Sequence, residues 1–229
     1  MRTISIPTLA VGTLALFTVA GAAAAQAPSP ILNALEVQKL VASSEPADNA
    51  RLSAHFAALA DQYATDARRH TAMAQAFTAA PTRRTPTHSA ADHCKRLATL
   101  NTQSSETLRE LAAYHEKLAA GIPGRPPKGG ARFQGGVGAP EPNDDELSAL
   151  AAKANTPADH HTLEEYFRTA AKRYTAEANE HLTMAQAYRG TRIAQAAVHC
   201  DRLVTLARDE AKEANAAAEM HKQLAGLAR

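Results

Sequence analysis

The chain repeats itself, and the repeat keeps metal-capable side chains in register. His70-Thr71-Ala72-Met73-Ala74-Gln75-Ala76-Phe77 returns as His181-Leu182-Thr183-Met184-Ala185-Gln186-Ala187-Tyr188. His93-Cys94-Lys95-Arg96-Leu97 returns as His199-Cys200-Asp201-Arg202-Leu203, and His115 returns as His221. Residues 46–77 align with 157–188 without a gap, and 90–120 align with 196–226 after a short deletion. Together they give about 25 identities over about 63 positions, which restricts the fold to two like halves. Six of the ten histidines, both cysteines and two of the four methionines sit at matched positions, which points to a site or a staple.

Each half reads as a helical hairpin. The first long helix starts near Pro46-Ala47-Asp48 and Pro157-Ala158-Asp159. Thr156, Pro157 and Asp159 have the form of a capped start. Its inward stripe steps by four and three through Leu52, Phe56, Leu59, Tyr63, Asp66, His70, Met73 and Phe77. The matching stripe is Leu163, Phe167, Ala170, Tyr174, Glu177, His181, Met184 and Tyr188. The second long helix carries Ala90, His93, Leu97, Leu100, Leu111, Tyr114 and Leu118, matched by Ala196, His199, Leu203, Leu206, Ala217, Met220 and Leu224. Short helices over 31–42 and 145–154 precede the long ones. The proline- and threonine-bearing 80–88 segment is a loop.

One hairpin cannot bury its seam alone. The expected fold is all-α: two duplicated antiparallel hairpins, 31–120 and 145–229, forming a four-helix bundle with an internal pseudo-two-fold axis. The Gly/Pro-rich linker over 121–144, with Phe133 its lone aromatic, is long enough to run the length of a helix. It equally permits hairpins exchanged between two chains.

Met1-Arg2, an apolar run and the small residues around Ala25 form an expected signal peptide over 1–25, which implies a periplasmic or secreted protein. No later stretch is apolar enough to span a membrane, and a net charge of +2 without a basic patch gives no reason to expect nucleic acid as a partner. An oxidising compartment makes a disulfide the default for two cysteines.

Asp66 and Glu177 occupy seam positions that should be apolar, as do His70 and His181 four residues later. In an antiparallel hairpin His181 falls opposite His199, and Met184 falls opposite Ala196 with Cys200 alongside. His70 falls within about a turn of His93 and Cys94. Three readings follow. In the first, His70, Met73, His93 and Cys94, with His181, Met184, His199 and Cys200, bind copper or zinc, and Asp66 and Glu177 orient the imidazoles. Adjacent His-Cys residues diverge by about 100° on a helix, which weakens that reading. In the second, Cys94 and Cys200 form a disulfide, closing a loop of about a hundred residues for about 4–5 kcal/mol of stabilisation. The protein is then a structural or partner-binding envelope protein. In the third, haem lies between His and Met ligands. The alanine-rich, aromatic-poor core argues against it, and no Cys-x-x-Cys-His is present.

His115 and His221 lie about six turns from the cysteines. His221 falls near Asp159, His160 and His161, and His115 near Asp48 to His55. These read either as half-exposed helix-end histidines, the favoured reading, or as a second site, and His88 and the His160-His161 pair read as surface residues. No G-x-S-x-G, P-loop, Rossmann or H-E-x-x-H pattern occurs, so binding rather than catalysis is expected.

Overall fold

The computed structural model describes residues 31–43, 45–79, 87–121 and 144–227. The expected leader, most of the 80–88 loop and the 122–143 part of the linker, with Phe133, lie outside the described residues. Within them the regular structure is entirely helical: α1 (Ala34–Ser43), α2 (Pro46–Ala79), α3 (Thr87–Ala119), α4 (Asp144–Lys153), α5 (Pro157–Arg189) and α6 (Ala196–Leu227). The order short, long, long occurs twice.

Local chemistry sets the helix starts. The Thr156 hydroxyl accepts from the Asp159 N–H at 3.2 Å, and the Asp159 carboxylate accepts from the Thr156 N–H at 3.1 Å. Pro157 follows the cap, where its missing N–H costs nothing. The expected first short helix begins three residues late because Asn33 caps it. Asn33 Oδ1 accepts from the Glu36 N–H at 3.0 Å, and Glu36 Oε2 accepts from the Asn33 N–H at 2.9 Å.

The four long helices pack as a bundle. Ser105 donates to the Ala60 carbonyl at 2.8 Å and His115 meets Asn49, so α2 and α3 run antiparallel. His160 meets His221, and Arg168 meets Glu219 at 2.9 Å, so α5 and α6 do the same. α3 packs on α6, where Arg96 pairs with Glu213, Ser104 with Glu210 and Glu110 with His199. Partner numbers fall as α3 numbers rise, so this pair is antiparallel too.

α2 and α5 do not approach backbone to backbone. Long side chains bridge them: Tyr63 donates to Glu177 at 2.5 Å, and Arg173 donates to Asp66 at 2.6 Å. α1 and α4 each pack on both α2 and α5, so each short helix lies against the long helix of the other repeat. Leu52, Phe56, Leu163, Phe167, Tyr174 and Tyr188 fill the interior, with alanine elsewhere allowing close approach.

Removing the α5 cap isolates one of these terms. Thr156→Ala should lower unfolding free energy by about 0.5–2 kcal/mol, read from denaturant midpoints. An unchanged midpoint would mean that the cap contributes nothing.

Candidate functional site

The expected ligand sets sit near the right levels of the bundle but face different neighbours. His93 pairs through Nδ1 with Glu213 of α6, which also takes Arg96 Nε at 2.8 Å. His199 lies 3.5 Å from Glu110 of α3. His70 instead faces α5, stacked on Phe167 with ring centroids 6.3 Å apart. Asp66 bonds Arg69 and Arg173, and Glu177 bonds Tyr63. Among the described residues no three His, Cys, Asp or Glu side chains are grouped to hold a metal. The six His and Cys of the expected ligand set accordingly form no such group of three among the described residues. On one helix, His and Cys in sequence diverge as the 100° step requires.

The expected disulfide is also absent. Cys94 and Cys200 are free and buried. Because α3 and α6 run antiparallel, Cys94 lies level with the stretch just beyond Glu213. That is about 20 Å along α6 from Cys200, at 1.5 Å per residue. A disulfide needs Cα atoms within about 7 Å. Burial pushes both thiols up to about 12, so they are neutral and unreactive in the fold. Denatured, unreduced protein should titrate two thiols per chain with a thiol reagent, and native protein close to none. Zero thiols after denaturation would contradict this arrangement.

The helix-end histidines are fully buried rather than half exposed. His115 Nδ1 donates to Asn49 Oδ1 and its Nε2 accepts from the Tyr188 hydroxyl, both at 2.8 Å. At the corresponding place His221 meets His160, Nδ1 to Nδ1, at 3.2 Å and stacks on Phe167. Asn49 and His160 are equivalent positions of the repeat, and so are Tyr188 and Phe77, which packs on His221. The pairing of helix levels was legible. Burial was not, because His160 and His55 have no histidine counterpart to mark them.

A charged layer crosses the middle. Tyr63, Glu177, Arg173 and Asp66 link α2 to α5, while Tyr174 and Asn101 bond across to α3. Ser104 donates to Glu210 Oε1 at 2.9 Å, and Glu210 Oε2 finds no protein partner. Burial raises the Glu210 carboxyl to about 8, so it keeps its proton at neutral pH.

Beneath α1 lies a partly open cavity of about 50 Å³. His55, His181 and Met184 line it, with Tyr63, Glu177 and Glu180. His181 is 3% exposed and its Nδ1 finds no hydrogen-bond partner. Such a group costs about 1–3 kcal/mol unless something else meets it. His55 Nδ1 accepts from the Leu32 N–H at 3.0 Å. Burial lowers both imidazoles to about 4, so both are neutral, the form in which histidine binds metals. In the sequence His55 enters only as a neighbour of His115, although it follows Leu52 by three residues on the same stripe.

The equivalent place around His70 has different neighbours. Its Nδ1 also lacks a partner, but Arg173 and Arg69 face it and, with burial, lower the imidazole to about 3. Glu180 stands in the repeat where Arg69 stands, Gln62 where Arg173 stands, and Tyr166 where His55 stands. The two guanidinium groups that act on His70 have no counterpart among the groups acting on His181. Set against protein-family models, the curated proteins and the solved structures, the chain matches none.

The buried histidines set a pH window. Burial lowers His55, His115 and His181 to about 4, and His70 and His221 to about 3, from 6.5. Between those values the unfolded chain binds more protons, so stability falls as pH drops below about 6.5. Glu210 acts in the opposite sense: the folded state holds its proton between 4.5 and about 8, so its contribution falls as pH rises through that range. Melting temperature should peak near neutrality and drop steeply on the acid side. Glu210→Gln should keep the Ser104 bond and gain more at pH 8 than at pH 5. An equal shift at both pH values would contradict a buried proton on Glu210.

Proposed function

We propose that this is an exported helical-bundle protein that binds one soft metal ion per chain, Cu(I), in the cavity beneath α1. His181 and Met184 are the ligands, and His55 is the third. The observation that carries the reading is the His181 Nδ1, buried without a partner in a cavity shared with a second neutral imidazole and a thioether. Thioether and imidazole donors favour Cu(I), and zinc has no comparable claim on a thioether. Glu177 and Glu180 stand at the wall of the cavity, where burial raises both carboxyls. Haem has no support, since the cavity is far too small for a macrocycle.

The bundle is read as two like hairpins related by an approximate two-fold axis through the α3–α6 crossing. Ser104 and Glu210, which meet there, are equivalent positions of the repeat. On this reading the two halves diverged: one kept a cation-tolerant pocket, and the other filled its place with Arg69 and Arg173. An architectural role is favoured at His115, whose two nitrogens are both bonded. The same does not hold at His181. The leader read over 1–25 would deliver the protein to the periplasm.

Anaerobic titration with Cu(I) against a cuprous chelator tests the reading. The protein should take one ion per chain. His181→Leu should weaken binding at least about 100-fold, or about 2.7 kcal/mol, while the apo fold melts no lower than the parent. His70→Leu should bind as the parent does. Absence of uptake, or unchanged stoichiometry in His181→Leu, would overturn the assignment.

A further inference from the structure

We infer that the Leu32 lead-in and α1 form a strap that competes with the metal ion for His55. The inference rests on the pocket reading above. Leu32 N–H donates to His55 Nδ1 at 3.0 Å. A neutral imidazole carries one N–H, so with Nδ1 accepting, the proton is on Nε2. Neither nitrogen then offers a free lone pair.

A metal ion can take His55 by two routes, and both break the same bond. If it binds Nδ1, it occupies the lone pair that Leu32 uses. If it binds Nε2, the proton moves to Nδ1 and two N–H groups face each other. His181 has no such competitor, because its Nδ1 is unpartnered. The ion is therefore first met by His181 and Met184, and completion of the site by His55 lifts the strap.

The strap is suited to lifting. α1 has ten residues and buries three of them, Val37, Leu40 and Val41. A helix of that length has little stability of its own in water and depends on docking. Ile31, Leu32, Ala34 and Val37 line the cavity, so the segment that covers the site is the one tied to His55. Loading the pocket thus changes the exposure of the bundle's N-terminal segment, and metal occupancy becomes readable at the surface.

Amide hydrogen exchange across 32–43, measured on the full mature chain alongside chelator competition, tests the strap. Cu(I) should speed exchange there by at least about tenfold. His55→Leu, which removes the acceptor, should do the same without metal, and its exchange should no longer respond to Cu(I). Leu32→Pro lacks the N–H and should bind Cu(I) about two- to tenfold more tightly, the worth of one hydrogen bond. Bound Cu(I) with unchanged α1 protection would overturn the strap and leave the pocket standing. Unchanged apo exchange in His55→Leu would likewise overturn the strap alone. Failure of the parent protein to take up Cu(I) would remove both readings.

Discussion

At the crossing of α3 and α6 a buried glutamic acid meets a serine, and the arrangement of the bundle follows from that meeting. Glu210 is fully buried, keeps its proton and accepts from Ser104 of the other hairpin. The seams on either side are rich in alanine, which packs closely but specifies register weakly. A buried polar pair has few places where it can be satisfied, so it fixes how far one helix slides along its neighbour. Once α3 and α6 are crossed antiparallel, the turn of each hairpin lies at the opposite end from the other. Each long first helix then meets the short helix of the other repeat.

That geometry accounts for the separation of the cysteines and for the pairing of the ends. Tyr188 of the second hairpin reaches His115 of the first, and Phe77 of the first reaches His221 of the second. It also brings α1 over His181, which lies in the other hairpin. The cavity is thus assembled from α1, α2 and α5, and no single repeat contains it.

The helices, their order and most of the core were legible in the sequence, because the four-three stripe and the Thr156 to Asp159 cap are local signals. Phe56, Tyr63, Met73 and Tyr174 lie where the stripe placed them. The site was only half legible. His181 and Met184 were marked by the repeat, but His55, which lines the same cavity, was not, since Tyr166 holds its equivalent position. Levels along a hairpin follow from counting residues. Which face a side chain turns to, and which helix of the other hairpin it meets, depend on how α3 crosses α6. The repeat itself does not encode that crossing. The polar run Asn101 to Glu106 between Leu100 and Leu108 was the available signal, because a buried helix interrupts its apolar face where it meets another polar group.

The repeat's divergence also has a physical reading. The same histidine, kept in both halves, is acted on by Arg173 and Arg69 in one and lines a cavity with His55, Glu177 and Glu180 in the other. Two equivalent positions of the sequence repeat thus hold buried imidazoles whose neighbours differ. All of this depends on the antiparallel crossing. Its most direct test is a pair of spin-label distances in a chain whose two cysteines are replaced by alanine. Labels at Lys95 and Lys212 should lie nearly level, and labels at Lys95 and Arg202 should be farther apart by roughly 15 Å along the helix. The reverse order, with Lys95 nearer Arg202, would mean that α3 and α6 run parallel, and the account of the cysteines, the ends and the cavity would fail with it.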